Sequence, residues 1–182
     1  IETEGTYALP EAQVDRFMLK VLVGYPSPTE EFVVVERMTG ALQSIQQVLS
    51  TDQLLELQKE TDGIYVDPAL IEYAVRLVSA TRKAGEVGLK ELEHYITFGA
   101  SPRASINLIL TAKALALVRG RNYALPQDVL DMAMDVMRHR LVLSYEALAE
   151  NKSADEILHR IVDRLPIPVV PLHERSNRNI SA

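Results

Sequence analysis

A helix-starting pattern recurs along this chain and constrains its fold more than any other sequence feature. The pattern is a capping Ser or Asp followed directly by Pro, as in Ser27–Pro28, Asp67–Pro68 and Ser101–Pro102. The capping side chain accepts a free backbone N–H, and proline suits the first helical position, where its missing N–H costs nothing. We therefore expect a mainly α fold in which helices begin at these points.

Other sequence signals predict further helices and mark where several of them end. Apolar residues recur at spacings of three and four between Leu70 and Thr81, which predicts the clearest amphipathic helix in the chain. Two capping boxes and one more proline predict the remaining helix starts: Ser50 with Gln53, Ser153 with Glu156, and Pro126. Glycines are expected to end three of the helices: Gly40, Gly63 and Gly85.

The helix expected after Ser101 differs from the others because it is apolar almost all round, from Ala104 to Val118. A narrow polar stripe of Arg103, Asn107 and Thr111 interrupts one side. Such a helix belongs in the middle of a bundle. The glycine-containing and partly acidic stretch at 85–100 that precedes it predicts a loop, which can include one helical turn.

The N-terminal region carries a different pattern from the rest of the chain. Residues 11–17 predict one or two helical turns, and the apolar run FMLKVLV at 17–23, ended by Gly24 and Pro26, predicts a buried strand. We therefore place a boundary near residues 24–28, where a short α/β portion gives way to a helical bundle. The prolines after Leu165 predict an extended, then loose, C-terminal tail.

Composition excludes several classes of protein. The chain has 182 residues that are 47% hydrophobic, which is enough for a real core, and its formal net charge of −6 makes nucleic-acid binding an unfavoured function. It contains no cysteine, which excludes disulfides and suits a reducing cytoplasm. No run is long enough for a membrane span, and no signal peptide is recognisable. The start at Ile1, within a motif, predicts a piece of a longer protein.

Catalysis by this segment alone is not indicated. The chain's 4 histidines lack metal-ligand spacing, so no metal site is predicted, and no serine lies in a G-x-S-x-G elbow. The run GEVGLK at 85–90 lacks the spacing of a phosphate-binding loop and follows a helix instead of a strand.

Two arginines are the candidate functional residues. Arg103, in GASPRAS, is expected in the first turn of a helix, where free N–H groups, the helix dipole and a guanidinium together suit a phosphate. Arg16, in LPEAQVDRF, lies just before the predicted strand, near an edge where ligands or subunits gather in α/β sheets. Each arginine has an alternative interpretation as one half of an ordinary surface ion pair, and the helix start alone favours that alternative for Arg103.

Several motifs in combination resemble the C-terminal part of an AAA+ ATPase of the MoxR family. The resemblance extends from Ile1 to about Leu165, and LPEAQVDRF with GASPRA is its most specific pair. The motifs follow the family's order and spacing: IETEGTYALPEAQVDRF, GYPSPTEE, SATRK, FGASPRAS, LVRGRNYALPQDV and MRHRLVLS. One departure is Leu125, which stands where the family often has a capping Thr.

The resemblance implies a domain division and a role for each arginine. Residues 1–26 would be the end of the αβα ATPase core, and residues 27–182 would be the helical lid with an extended tail. Arg16 would be the catalytic arginine finger that reaches the nucleotide of the adjacent subunit. Arg103 would be sensor 2, which contacts the nucleotide of its own subunit.

The resemblance also implies cofactors and partners. The full-length protein would bind ATP and magnesium through motifs upstream of Ile1, so this segment alone would be inactive and would hold no cofactor. It would form a ring, expected to be a hexamer, in the cytoplasm, and would remodel or mature client proteins such as those with von Willebrand factor A domains. The alternative hypothesis is a non-enzymatic helical adaptor that binds a protein partner. A third hypothesis, less favoured because of the acidic net charge, is a nucleic-acid motor.

Overall fold

The structure, a computed structural model, describes residues 9–41 and 44–169 and is mainly α-helical. Its α-helices, in chain order, are α1 (Glu11–Val14), α2 (Pro28–Thr39), α3 (Thr51–Asp62), α4 (Pro68–Arg82), α5 (Pro102–Val118), α6 (Pro126–Met137), α7 (Tyr145–Ala149) and α8 (Ala154–Arg164). Short 3₁₀ segments lie at Ala84–Val87, Lys90–Tyr95 and Arg138–Arg140. The strands β1 (Ile96–Phe98) and β2 (Val142–Leu143) form one antiparallel pair.

The helix starts predicted from capping residues are confirmed. Ser27 Oγ accepts the amide of Glu30 at 3.3 Å, and the Glu30 carboxylate accepts the amide of Ser27 at 2.8 Å, which completes a capping box. Asp67 and Ser101 cap α4 and α5 by accepting the amides of Ala69 and Arg103, at 2.8 and 3.2 Å. Ser50 and Ser153 cap α3 and α8. The periodic helix α4 ends at Arg82, three residues before the glycine expected to end it.

The core lies where α4, α5, α6 and α8 pack together. On α5 the side chains of Ala104, Leu108, Ala112 and Ala116 are fully buried, and they follow one another at intervals of four residues. Small side chains on this line let α6 approach closely through Val129, Ala133 and Val136. The prediction that α5 lies in the middle of a bundle is correct in part: α5 packs against α3, α4 and α6, but one face of it is exposed.

The polar stripe of α5 faces inward at two of its three positions. Asn107 and Thr111 are 7% and 6% exposed, and Thr111 Oγ1 donates to the Asn107 carbonyl at 2.7 Å. In contrast, Ile106 and Leu110 are 60% and 41% exposed. The exposed face of α5 therefore carries Ile106 and Leu110, while the buried Thr111 hydroxyl is satisfied by a hydrogen bond to the backbone of its own helix.

The buried strand predicted at 17–23 is wrong. Residues 19–27 have no regular secondary structure, and Val21 and Val23 are 62% and 90% exposed. No strand within residues 9–41 or 44–169 pairs with this run. Its backbone groups find other partners, since the Lys20 amide donates to the Asp135 carbonyl at 2.8 Å and nearby carbonyls accept from side chains that follow α6. Apolar β-branched content alone cannot form a strand without a neighbouring edge.

The loop predicted at 85–100 is more ordered than expected. It contains two 3₁₀ segments and ends in β1, whose Ile96 pairs with Leu143 of β2. At the other end of the chain, residues 166–169 have no regular secondary structure, and the rest of the predicted tail lies outside the described residues. Among the helices that the structure describes, none combines the length and apolar character needed to cross a membrane.

Truncating a core side chain of α8 should destabilise the bundle strongly. Leu158 is fully buried against α4 and α6, and its change to Ala should lower the free energy of unfolding by about 2–5 kcal/mol. Leu148 of α7 is 60% exposed, so Leu148→Ala should change it by no more than about 0.5 kcal/mol. Urea unfolding of both variants measures the difference, and equal losses would contradict this packing.

Candidate functional site

Arg16 follows α1 directly and points its side chain into solvent. Its backbone amide donates to the Gln13 carbonyl at 3.1 Å, which continues the helical turn, while the residue as a whole is exposed. Within residues 9–41 and 44–169 no hydrogen bond or ion pair engages its guanidinium. An ion pair with the neighbouring Asp15, which would be the ordinary alternative for this residue, is not formed, since Asp15 pairs with Arg103 and Arg140.

Asp15, the residue before Arg16, is the centre of a polar cluster. Its carboxylate accepts from Ser101 Oγ at 2.8 Å, from Arg103 Nη1 at 2.6 Å and from Arg140 Nε at 3.1 Å. Ser101 and Arg103 belong to the start of α5, whereas Arg140 follows α6. One carboxylate therefore joins the N-terminal segment to two separate places on the bundle.

Arg140 has a fully buried side chain that binds the N-terminal segment through its backbone. Its Nη2 donates to the carbonyls of Asp15 and Phe17 at 3.0 and 2.5 Å, and its Nη1 donates to the carbonyl of Met18 at 3.3 Å. Nη1 also donates to the Val136 carbonyl. Burial lowers the pKa of Arg140, and the charge of Asp15 opposes that effect. The guanidinium stays protonated, since its ordinary pKa is far above neutrality.

The two residues before Arg140 bind the same segment, and we call Arg138–Arg140 the RHR turn. Arg138 Nη1 donates to the Lys20 carbonyl at 2.9 Å, and its Nε donates to Asp155 at 2.9 Å. His139 Nε2 lies 3.0 Å from the Phe17 carbonyl, which fits a neutral ring that donates from Nε2. Burial lowers the pKa of His139, although its bond to Phe17 opposes the shift. The RHR turn thus contacts the backbone at residues 15, 17, 18 and 20.

Arg103 lies in the first turn of α5, where the sequence places it, and it is tied to Asp15. Its side chain is 46% exposed, so part of the guanidinium fork remains open to a ligand. An ion pair with an acidic side chain is the alternative interpretation of Arg103, the one favoured when only its position at a helix start is considered. A single ion pair of this exposure contributes about 1 kcal/mol or less, which a phosphate could readily displace.

Comparison with known proteins places this geometry in a family. The family described as AAA lid domain matches residues 90–161. Chaperone MoxR1 of Mycobacterium tuberculosis is 48% identical over 170 residues, covering 93% of this chain and 45% of that protein. Protein MoxR of Paracoccus denitrificans is 32% identical over 156 residues, covering 79% of this chain and 46% of its own length.

A solved structure agrees with these relatives. It comes from Cytophaga hutchinsonii, carries a provisional ATPase name, and superposes with a TM-score of 0.88 at 40% identity over 93% of this chain and 52% of that one. The chain belongs to the MoxR family of AAA+ ATPases. It corresponds to the C-terminal part of such proteins, and it spans about half the length of the curated relatives it matches.

The sequence motifs of this MoxR-family chain predicted Arg16 and Arg103 as functional residues. They did not predict the contact between Asp15 and Arg140, which ties the segment carrying Arg16 to the bundle. Asp15 and Arg140 are 125 positions apart, so no local pattern connects them. One sequence pattern could have indicated Arg140. The apolar end of α6 is followed by Arg138, His139 and Arg140, with no acidic residue among them to neutralise the charge. Basic residues after a helix are usually read as C-terminal charges that favour the dipole, which hides such a role.

The donor groups of the cluster suit an anion better than a cation. Around Asp15 they are hydroxyl and guanidinium groups, which bind carboxylate or phosphate oxygens. Among the described residues no group of three or more His, Asp or Glu side chains is placed to hold a metal ion.

Proposed function

We propose that this chain supplies two arginines to the ATP sites of a ring-forming MoxR-type ATPase. Arg16 acts as the finger that reaches the nucleotide of the neighbouring subunit, and Arg103 acts as sensor 2 on the nucleotide of its own subunit. The observation that carries the proposal is the state of Arg16: its guanidinium is exposed and unpaired among the described residues, whereas the backbone on both sides of it is held by Arg140. An arginine whose backbone is held in place and whose guanidinium has no partner among the described residues is suited to bind an anionic ligand on another subunit.

The chemistry of such a site needs positive charge at a defined place and time. Bound ATP supplies the phosphoryl group whose transfer develops negative charge on its oxygens, and an arginine finger is worth roughly 10³ to 10⁵ in rate where it has been measured. Arg16 would bring that charge from the adjacent subunit. The magnesium-binding and phosphate-binding residues would lie outside this segment, which covers 45% and 46% of two of its relatives.

Arg103 can serve in the same subunit because its present partner is replaceable. Asp15 also receives Ser101 and Arg140, so it stays satisfied when Arg103 turns towards a phosphate. Movement of Arg103 between Asp15 and phosphate would then report the presence of nucleotide to the lid. We extend the proposal to a hexameric ring in the cytoplasm that remodels client proteins, including von Willebrand factor A domain proteins. The chaperone name of the Mycobacterium tuberculosis relative supports the remodelling role.

Replacing Arg103 by Ala should weaken nucleotide binding. Loss of one charge-assisted contact to phosphate costs about 1.5–3 kcal/mol, which corresponds to a rise in Kd of about 10-fold to 10²-fold. Titration of the full-length protein with a fluorescent ATP analogue measures this change. Arg160 is an equally exposed arginine that pairs with Glu91, so Arg160→Ala is the matched control and should leave Kd unchanged. Normal affinity together with normal turnover in Arg103→Ala would remove this residue from the site.

The helical adaptor remains the second candidate, and one observation favours it. Helices α2 and α3 bury no residue, and Phe32 and Met38 of α2 are each 68% exposed. Apolar side chains on unpacked helices suit contact with another protein surface. The sequence of the full-length protein distinguishes the two functions, because only the ATPase requires a G-x-x-x-x-G-K-[ST] loop before Ile1. A full-length protein that lacks this loop and shows no ATP turnover would favour the adaptor.

A further inference from the structure

The segment that carries Arg16 has no regular secondary structure to fix its conformation beyond α1. Residues 15–18 form turns and bends, and residues 19–27 are irregular. A backbone of this kind is mobile unless side chains or packing hold it. The carbonyls of Asp15, Phe17 and Met18 instead accept hydrogen bonds from the Arg140 guanidinium. The direction of the Arg16 side chain therefore depends on a residue far away in sequence.

Arg140 is chemically suited to this task because of the shape of its donor group. A guanidinium has five N–H donors in a rigid planar fork. Its donors go to the Asp15 carboxylate and to the carbonyls of Asp15, Phe17, Met18 and Val136. The fork is thus saturated by acceptors, which explains how a cation can lie in a fully buried position. A lysine, whose three donors diverge from one nitrogen, cannot reach this set.

The anchor of Arg140 lies in the bundle and not in the N-terminal segment. The RHR turn directly follows α6, whose Val129, Ala133, Val136 and Met137 are fully buried in the core. Arg138 adds a second anchor because it binds Asp155 at the start of α8 as well as the Lys20 carbonyl. Any change in the orientation of the bundle would therefore move the segment that carries Arg16.

We propose that Arg140 is a positioning residue for Arg16, so that the lid of one subunit sets the arginine that serves the nucleotide of its neighbour. This inference rests on the proposed role of Arg16 as a finger acting between subunits. Arg140 contacts neither the nucleotide of its own subunit nor that of the neighbour, because all its N–H groups donate to acceptors within its own chain. It acts on Arg16 through the backbone on either side of it and through the Asp15 carboxylate.

The test compares Arg140→Gln and Arg140→Lys in the full-length ring with the matched surface variant Arg160→Gln. A displacement of the finger by about 1 Å should reduce kcat by about 10²-fold. The Kd for ATP should change far less than kcat, because Arg140 does not touch the nucleotide of its own subunit and Ser101 still binds Asp15, the partner of Arg103. Arg160 is 45% exposed and pairs only with Glu91 among the described residues, so Arg160→Gln should leave both quantities unchanged. Arg140→Lys keeps the charge and loses the fork, and it replaces Arg140→Gln if thermal melting shows that Gln unfolds the lid.

Mixed rings separate positioning from a structural defect. An Arg140 variant subunit is co-assembled with a subunit whose phosphate-binding loop lysine is replaced, so that the second subunit has no working site but an intact finger. Positioning predicts recovery of turnover, because the intact finger serves the intact site of the Arg140 variant. Co-assembly with Arg16→Ala should give no recovery, since both subunits then lack a working finger.

The outcomes distinguish this inference from the function on which it rests. Recovery for both Arg140→Lys and Arg16→Ala with the loop variant supports positioning. Recovery for Arg16→Ala alone shows that Arg140 damages its own subunit's site, which overturns the inference and keeps the finger. No recovery for either variant overturns the proposed action of Arg16 between subunits. A kcat for Arg140→Lys equal to that of the unaltered ring also overturns the positioning role.

Discussion

Changing Arg16 to Ala should lower the ATP turnover of the full-length protein by about 10³-fold or more, while ATP binding stays intact. The reason is that a finger acts on charge that develops in the transition state and contributes little to the ground state. Arg16 has no partner among the described residues, so its removal breaks no contact within this part of the chain. Steady-state turnover and equilibrium ATP binding, measured on the same preparation, give both quantities.

A matched control for this variant lies on α2. Arg37 is likewise exposed and without an ion pair among the described residues, so Arg37→Ala removes the same charge from a different place. It should leave kcat within about two-fold of the unaltered protein, which is the scale of a small surface effect below 0.5 kcal/mol. Unchanged turnover in Arg16→Ala would rule out the finger. A loss shared equally with Arg37→Ala would indicate a general effect of charge instead.

The helices of this chain could be predicted from sequence because their signals are local. Ser27 with Glu30, Asp67 with Pro68 and Ser101 with Pro102 each act within one turn, and each forms the predicted cap. A capping bond needs only three or four consecutive residues to be correct. The structure therefore agrees with the sequence at the helix starts, and it differs where distant partners decide the outcome.

The failed strand and the unpredicted cluster have the same physical origin. The run at 17–23 has the composition of a strand, yet the RHR turn supplies donors to carbonyls at 17, 18 and 20. Those donors come from residues more than a hundred positions away, and a local pattern contains no trace of them. The same distance hid Asp15 as the partner of Arg103 and Arg140. The positions of both candidate arginines were predictable, but what surrounds them was not.

Changing Asp128 to Ala should lower the free energy of unfolding by about 3–5 kcal/mol, because the guanidinium of Arg121, only 19% exposed, and the Leu125 amide lose their shared acceptor. Asp128 is fully buried in the first turn of α6. It accepts from Arg121 at 2.6 and 2.8 Å, from Arg119 at 2.8 Å and from the Leu125 amide at 2.7 Å. The last bond compensates for Leu125, which has no capping side chain of its own.

The local backbone explains how two arginines reach one carboxylate. Gly120 lies between Arg119 and Arg121 and has φ +71°, a left-handed conformation that glycine adopts without strain. This turn brings both guanidinium groups onto Asp128. Asp131 is the control, since it also pairs with Arg119 but its side chain is 31% exposed. Asp131→Ala should cost no more than about 1 kcal/mol, and equal losses for the two variants would contradict the role assigned to burial.

The charge of Asp128 also makes a prediction about pH. Burial raises its pKa, but the bonds from Arg121, Leu125 and Arg119 outweigh burial and leave the pKa below its ordinary value of about 3.9. A carboxyl whose folded pKa is depressed stabilises the fold above its unfolded pKa and loses that contribution as pH falls through the folded value. The difference in unfolding free energy between the unaltered chain and Asp128→Asn should therefore be constant from neutral pH to about pH 5, and it should shrink below about pH 4. Urea unfolding across this range measures it, and a difference that grows on acidification would show that the carboxylate is not stabilised by its arginines.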